Sequence, residues 1–111
     1  MTTIIIKELK TIDEMLESYD LLTLLYPTDF SVDKYKSLLA EMLEGNYRQV
    51  AAYEGNKIVG IAGLTIATKI WSGRYMDMDH FVVSRDHRST GVGKKIIKYV
   101  KELSIQENCK I

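Results

Sequence analysis

Cysteine and proline occur once each among the 111 residues, tryptophan once and glycine seven times. A single cysteine cannot close an intramolecular disulfide, so nothing in the chain calls for an oxidising compartment. The isolated proline and scattered glycines leave no low-complexity linker, and no segment recurs at a fixed period. Net charge is lacking too, because fifteen Lys and Arg balance fifteen Asp and Glu. That balance removes whole-molecule attraction to nucleic acid or an anionic membrane, so neither is an expected partner. The first 30 residues hold no basic stretch followed by a long apolar run. Secretion or membrane insertion is therefore not expected, and a reducing, cytoplasmic setting is. What the chain does have is apolar surface, 46% hydrophobic residues. Its length fits one domain, residues 1–111, burying roughly two-thirds of the surface of the unfolded chain, which argues against disorder.

The periodicity of that apolar content changes along the chain. Thr3 to Leu9 is rich in β-branched residues and reads as a strand. Thr11 and Glu14 have capping-box spacing, and Ile12, Met15, Leu16, Tyr19 and Leu22 follow at helical intervals, predicting one helix. Tyr26-Pro27-Thr28-Asp29-Phe30 interrupts it. Ser31 then caps a second helix with Val32, Tyr35, Leu38, Leu39, Met42 and Leu43 on one stripe and Gly45 at its end. Past Gly45 the period falls to two. Tyr47 to Tyr53 and Lys57 to about Lys69 form a hairpin around Glu54-Gly55-Asn56. After Ser72-Gly73, a third strand from Arg74 to Val83 alternates Met76, Met78, His80 and Val82 on one face with Tyr75, Asp77, Asp79, Phe81 and Val83 on the other. Gly91 to Asn108 is an amphipathic helix, its stripe Val92, Ile96, Val100 and Leu103 opposing Lys94, Lys95, Lys98 and Lys101. The lysines serve at least as its wet face. The order is β-α-α-β-β-β-α, an α+β class with a mostly antiparallel sheet. Cys109, read as a small buried hydrophobe rather than a nucleophile, opens a segment Cys109-Lys110-Ile111 where another strand would begin.

Chemistry concentrates in Arg88-Ser89-Thr90-Gly91-Val92-Gly93-Lys94, between a strand and the amino end of a helix. Glycines allow close backbone approach there, and the unpaired amides of a first helical turn, reinforced by the helix dipole, attract an anion such as phosphate. Arg85, Arg88, Lys94, Lys95, Lys98 and Lys101 stand against Asp86 alone in that stretch, so the local field is positive. A Walker A loop requires glycine where this chain has Arg88 and Ser or Thr where it has Lys95. A dinucleotide fingerprint requires glycine at Ile96 and a strand-crossover-strand unit near the amino terminus. Neither pattern is met.

The remaining pattern, R-x-x-G-x-G after Asp79-His80-Phe81-Val82-Val83 and before Lys94, resembles the acetyl-CoA signature of the GCN5-related N-acetyltransferases (GNAT). The element order from Thr3 to Asn108 resembles that family as well, a three-layer α/β arrangement. The resemblance implies acetyl-CoA as cofactor, no metal, the strand segment Phe81, Val82 and Val83 along the pantetheine arm, and Arg88, Ser89, Thr90, Gly91, Val92 and Gly93 around the pyrophosphate. Lys94 would be a counter-charge. Ser89 departs from a frequent glycine and Ser84 from a frequent proline, both mildly, since the ligand reads amide hydrogens.

By the same resemblance the activity is N-acetylation of a primary amine, in a small molecule or a peptide, by direct attack on the thioester. An alkylammonium has a pKa of about 10.4, so freeing the amine near pH 7 costs on the order of 4 kcal/mol unless a base takes the proton. The family places a carboxylate on this strand, matching Asp79, with His80 as the alternative and Asp77 a third candidate. A backbone N–H near Val83 would stabilise the oxyanion. The bland alternatives are a solvated Asp79 and a merely packed His80. The loop Tyr26 to Phe30 occupies a position that carries substrate selectivity in many relatives, with Tyr26 and Phe30 flanking Asp29 to suit a cationic amine.

The resemblance stops before the family's fifth strand, which would begin at Cys109-Lys110-Ile111. An uncovered strand ending at Val83 is an edge, so self-association is expected. The alternative function is a coenzyme A-binding or interaction module of the same fold without turnover.

Overall fold

The computed structural model describes residues 3–110. Its elements are β1 (Ile4–Leu9), α1 (Ile12–Leu16), α2 (Tyr19–Leu22), α3 (Val32–Met42), β2 (Tyr47–Glu54), β3 (Lys57–Lys69), β4 (Gly73–Val83) and α4 (Val92–Gln106), with a 3-10 turn at Arg85–His87. The expected single first helix is thus two short ones. Thr11 caps α1 through a reciprocal capping box with Glu14, but Ser18 is fully buried and its hydroxyl bonds back to the Met15 carbonyl at 2.6 Å. Such back-bonding competes with the helical ladder and breaks the helix there.

The four strands form an antiparallel sheet in the order β1-β2-β3-β4. Helices α1, α2 and α3 cover one face and α4 the other, giving three layers with a core on each side. Leu9, Met15, Leu22, Leu39, Ile61 and Val82 anchor the first core. Val59, Leu64, Met76, Ile96 and Val100 anchor the second. Gly60 is small because α4 lies close: a Cβ there would come within 2.8 Å of Ile96 Cδ1 and 3.1 Å of Val92 Cγ1.

In β4 the expected alternation holds for only half the strand. Met78 pairs with Leu64 and His80 with Gly63, which leaves Asp79 without a partner across the ladder. One extra residue at a bulge sends all later side chains to the opposite face. Met76 and Met78 therefore lie against the α4 core, whereas Val82 lies in the α1–α3 core and His80 turns toward Tyr47. The four residues read as one face are split between two.

The segment after α4 returns to β4. Lys110 forms a parallel bridge with Tyr75, its amide donating to the Arg74 carbonyl at 3.0 Å and its carbonyl accepting from the Met76 amide at 2.7 Å. Ile111, the last residue of the expected strand start, lies outside the described residues. No strand among the described residues pairs along the rest of that β4 edge. No helix among them is long and apolar enough to cross a membrane.

Charged groups tie the layers together at one end. Arg48 on β2 holds Glu8 of β1 through two hydrogen bonds of 2.9 and 2.8 Å and reaches Glu107 behind α4 at 3.5 Å. Arg74 donates to the Glu107 carbonyl at 2.7 Å. The Arg48 guanidinium, through its hydrogen bonds, holds the Glu8 carboxyl below its ordinary value of 4.5. A carboxyl depressed in the folded state stabilises above its unfolded pKa, and that stability disappears as pH falls through the folded pKa. Replacing Glu8 by Gln is thus expected to lower stability at pH 7 and to flatten its fall below pH 4.5, as read by urea unfolding across pH.

Candidate functional site

The loop after β4 is shaped by two left-handed residues, Ser89 at φ 67° and Gly91 at φ 90°. Gly91 caps α4 with no side-chain hydrogen bond, and a Cβ built on it would meet nothing within 4 Å, so its need is conformational and its outer side is open. The side chains of the loop hold the backbone in place. Arg88 Nε donates to the Val83 carbonyl at 3.3 Å, and the Thr90 hydroxyl donates to the His87 carbonyl. His87 Nε2 lies 3.1 Å from Glu54, tying the 3-10 turn to the β2–β3 hairpin, while its Nδ1 is buried without a partner. The amides of Val92, Gly93 and Lys94, in the first turn of α4, have no acceptor within the helix, and the turn 88–91 leads directly into them. Amides without an intrahelical acceptor at a helix amino terminus fit a diphosphate. At Gly93 a Cβ would make ordinary contact with the Phe81 ring, at 3.4 Å, so the end of β4 and the start of α4 lie side by side there.

The structure distributes the other coenzyme candidates unevenly. Phe81 and Val83 lie on the α4 side, next to Gly93, whereas the Val82 side chain fills the opposite core and offers only its backbone. Lys94 is exposed at the start of α4 and, with Lys98 and Lys101, lines an open groove of about 570 Å³ that begins at Gly93.

On the other face of the sheet, the bulge presents Asp79 and His80. Asp79 is exposed and accepts a hydrogen bond from the Thr65 hydroxyl through one carboxylate oxygen. His80 Nε2 is 3.0 Å from the Tyr47 hydroxyl. Behind it runs a buried chain: the Gln49 amide donates to the hydroxyls of Tyr47 and Tyr35, both at 2.9 Å, and its oxygen accepts from Ser18 at 3.0 Å. With Gln49 donating to Tyr47, the phenol proton is free to point at His80 Nε2, the arrangement that keeps the ring proton on Nδ1. Burial pushes the phenols of Tyr47 and Tyr35 upward and His80 downward, the latter partly opposed by Asp79. Gly63 makes room for this arrangement, since a Cβ there would overlap the His80 ring.

A cavity of about 220 Å³ adjoins His80. Tyr26 and Phe30 from the α2–α3 loop form part of its wall with Tyr35 and Tyr47, and Leu22, Leu38 and Met42 complete it. Asp29, between the two loop aromatics, does not reach the cavity; its carbonyl accepts from Lys34 Nζ at 2.9 Å. Gln49, Ser18 and Thr65 escaped the sequence reading, and Tyr35 and Tyr47 entered it only as a helix-stripe residue and the start of a strand. A signal existed for two of them, since Tyr47 and Gln49 share the inward face of β2 with Ala51, and a glutamine there demands partners.

Comparison with known proteins agrees with this architecture. The model of the Acetyltransferase (GNAT) family matches residues 15–111. A thialysine N-epsilon-acetyltransferase from Bos taurus is 29% identical over 75 residues, 68% of this chain and 42% of that protein, so the chain spans about two-fifths of the relative it matches. A GNAT family acetyltransferase from Staphylococcus aureus superposes with a TM-score of 0.83 at 23% identity, over 99% of this chain and 83% of that one. The aminoglycoside N-acetyltransferase AAC(6')-Iy, solved in complex with CoA, superposes with a TM-score of 0.83 at 18% identity, over 98% of this chain and 74% of that one. At these identities the two structures establish a shared fold.

Burial, partly opposed by Asp79, favours neutral His80, so its NMR titration midpoint is expected below 6.5, and a proton donated by Tyr47 to Nε2 would act in the same direction. In Tyr47→Phe the midpoint is expected to rise toward that value; a midpoint unmoved by the substitution would contradict the assigned proton positions.

Proposed function

Because the chain belongs to the Acetyltransferase (GNAT) family, we propose that it forms one domain that transfers an acetyl group from acetyl-CoA to a primary amine by direct attack. The observation that carries this is the amino-terminal turn of α4, whose amides at Val92, Gly93 and Lys94 have no acceptor within the helix, set at the end of β4 beside Phe81 and Val83. In this reading those amides hold the pyrophosphate, Arg88 and Lys94 add positive charge, and the β4 edge from Phe81 to Val83 lies along the pantetheine arm. Bound acetyl-CoA supplies an activated thioester carbonyl. Everything else falls to the side chains at the bulge.

Asp79 has one oxygen committed to Thr65 and the other free of hydrogen bonds, so it takes the ammonium proton and releases the amine as a nucleophile. His80, its Nε2 occupied by Tyr47, presents an Nδ1–H and stands beside the acceptor as a neutral, oriented donor. Asp77, exposed on the same strand, remains a solvated carboxylate. A positioned general base contributes about 10²–10⁴-fold. The open β4 edge also suits pairing with a second copy, in a cytoplasmic setting; light scattering over a concentration series reads that association.

Two measurements test the assignment. Coenzyme A is expected to bind in calorimetry, and Gly91→Asp to bind it at least tenfold more weakly than Gly91→Asn, a pair that shares backbone strain and differs in charge. Equal affinities would place the diphosphate elsewhere. Asp79→Asn is expected to lower kcat about 10²-fold or more without changing coenzyme affinity. Coenzyme binding with no acetyl-CoA consumption across an amine panel would favour the non-catalytic binding module instead.

A further inference from the structure

The cavity beside His80 carries more information than its position. Its wall is aromatic and aliphatic, and no carboxylate, ammonium or guanidinium is among the residues that line it. Its aromatic side is held rigid. Phe30 sits 5.3 Å from Tyr19, 5.6 Å from Tyr26 and 5.4 Å from Tyr35, ring centroid to centroid, and its carbonyl accepts from the Tyr19 hydroxyl at 2.5 Å. The polar atoms at its deep end are already engaged, Tyr47 with Gln49 and His80, and Tyr35 with Gln49 and Ser18.

An occupant therefore finds apolar contact and few free hydrogen-bonding groups. A sugar or polyamine would strip water from hydroxyls or ammonium groups and leave them unpaired, which costs several-fold to many-fold in affinity per group. An apolar ring has no such groups to satisfy. Size agrees, because a cavity of about 150 Å³ accepts benzene, and 220 Å³ accommodates one six-membered ring with a short linker. The carboxylates that would attract an ammonium, Asp77 and Asp79, are exposed on β4 rather than inside. The charge separation matches a molecule with an apolar ring at one end and an amine at the other.

We propose that this cavity is the acceptor specificity pocket and that it selects arylalkylamines, a single aromatic ring two or so carbons from a primary amine that meets Asp79 at the rim. The identification as acceptor pocket rests on the acetyl-transfer reading; the preference for a ring rests on the cavity itself. Asp29, the residue best suited by sequence to attract a cation, has no part in it.

The test titrates 2-phenylethylamine, ethylamine, spermidine and glucosamine into the protein with and without coenzyme A, and measures kcat/KM for each with acetyl-CoA. 2-Phenylethylamine is expected to bind at least tenfold more tightly than ethylamine and to lead in kcat/KM by a similar factor. Leu38→Trp, at a cavity residue 39% exposed, is expected to abolish that advantage while circular dichroism and coenzyme affinity stay as in the wild type. Equal binding of the two monoamines, or tighter binding of spermidine or glucosamine, overturns the proposal even if acetyl transfer occurs. Tight 2-phenylethylamine binding without transfer to any amine supports a ring-selecting cavity and overturns the acetyl-transfer reading.

Discussion

Opposite Gly63, β4 carries Asp79 and His80 where β3 carries one residue, and the ladder resumes with every later side chain reversed. The rest of the site depends on that count. Without the extra residue, His80 and Val82 would continue the row of Met76 and Met78 into the α4 core, and Phe81 would leave Gly93. With it, the His80 imidazole and the exposed Asp79 carboxylate stand on the face that also holds the apolar cavity, while Phe81 and Val83 go to the face packed by α4, beside Gly93. A single insertion in register thus sends the two halves of β4 to opposite faces.

The polar chain from Ser18 to His80 is the second constraint, and it is embedded in the first core. Buried hydroxyls and amides stabilise little unless each finds a partner, and an unmatched one costs about 1–3 kcal/mol. Here Gln49 bridges Tyr35 of α3 and Tyr47 of β2, and Ser18 joins them at the break between α1 and α2. One glutamine therefore links the helical layer to the sheet and, through Tyr47, to the His80 ring. Packing and site share the same hydrogen bonds.

Much of this was legible before any coordinates. The element order followed from the change of period at Gly45, and the turn at the head of α4 from its glycines and the start of an apolar stripe at Val92. Both are local signals, carried by adjacent residues. The bulge was not legible, because beyond His80 β4 is apolar on both faces and an inserted residue just before such a stretch leaves no break in the pattern. The split first helix escaped for a similar reason: Ser18 reads as an ordinary helix-surface serine until its burial against Gln49, thirty-one residues away, is known. Tyr26 and Phe30 were singled out by their loop position, but their partners Tyr35, Tyr47 and His80 come from three separate elements that only the folded sheet assembles.

Gly63 and His80 share one volume, and neither can change freely while the other stays. Any side chain at 63 would evict the imidazole, whereas loss of the imidazole would open a hole that a larger residue at 63 could fill. Divergence among relatives should therefore pass through these two positions in a fixed sequence, histidine first and glycine second, and chains that have taken the second step would find the way back closed.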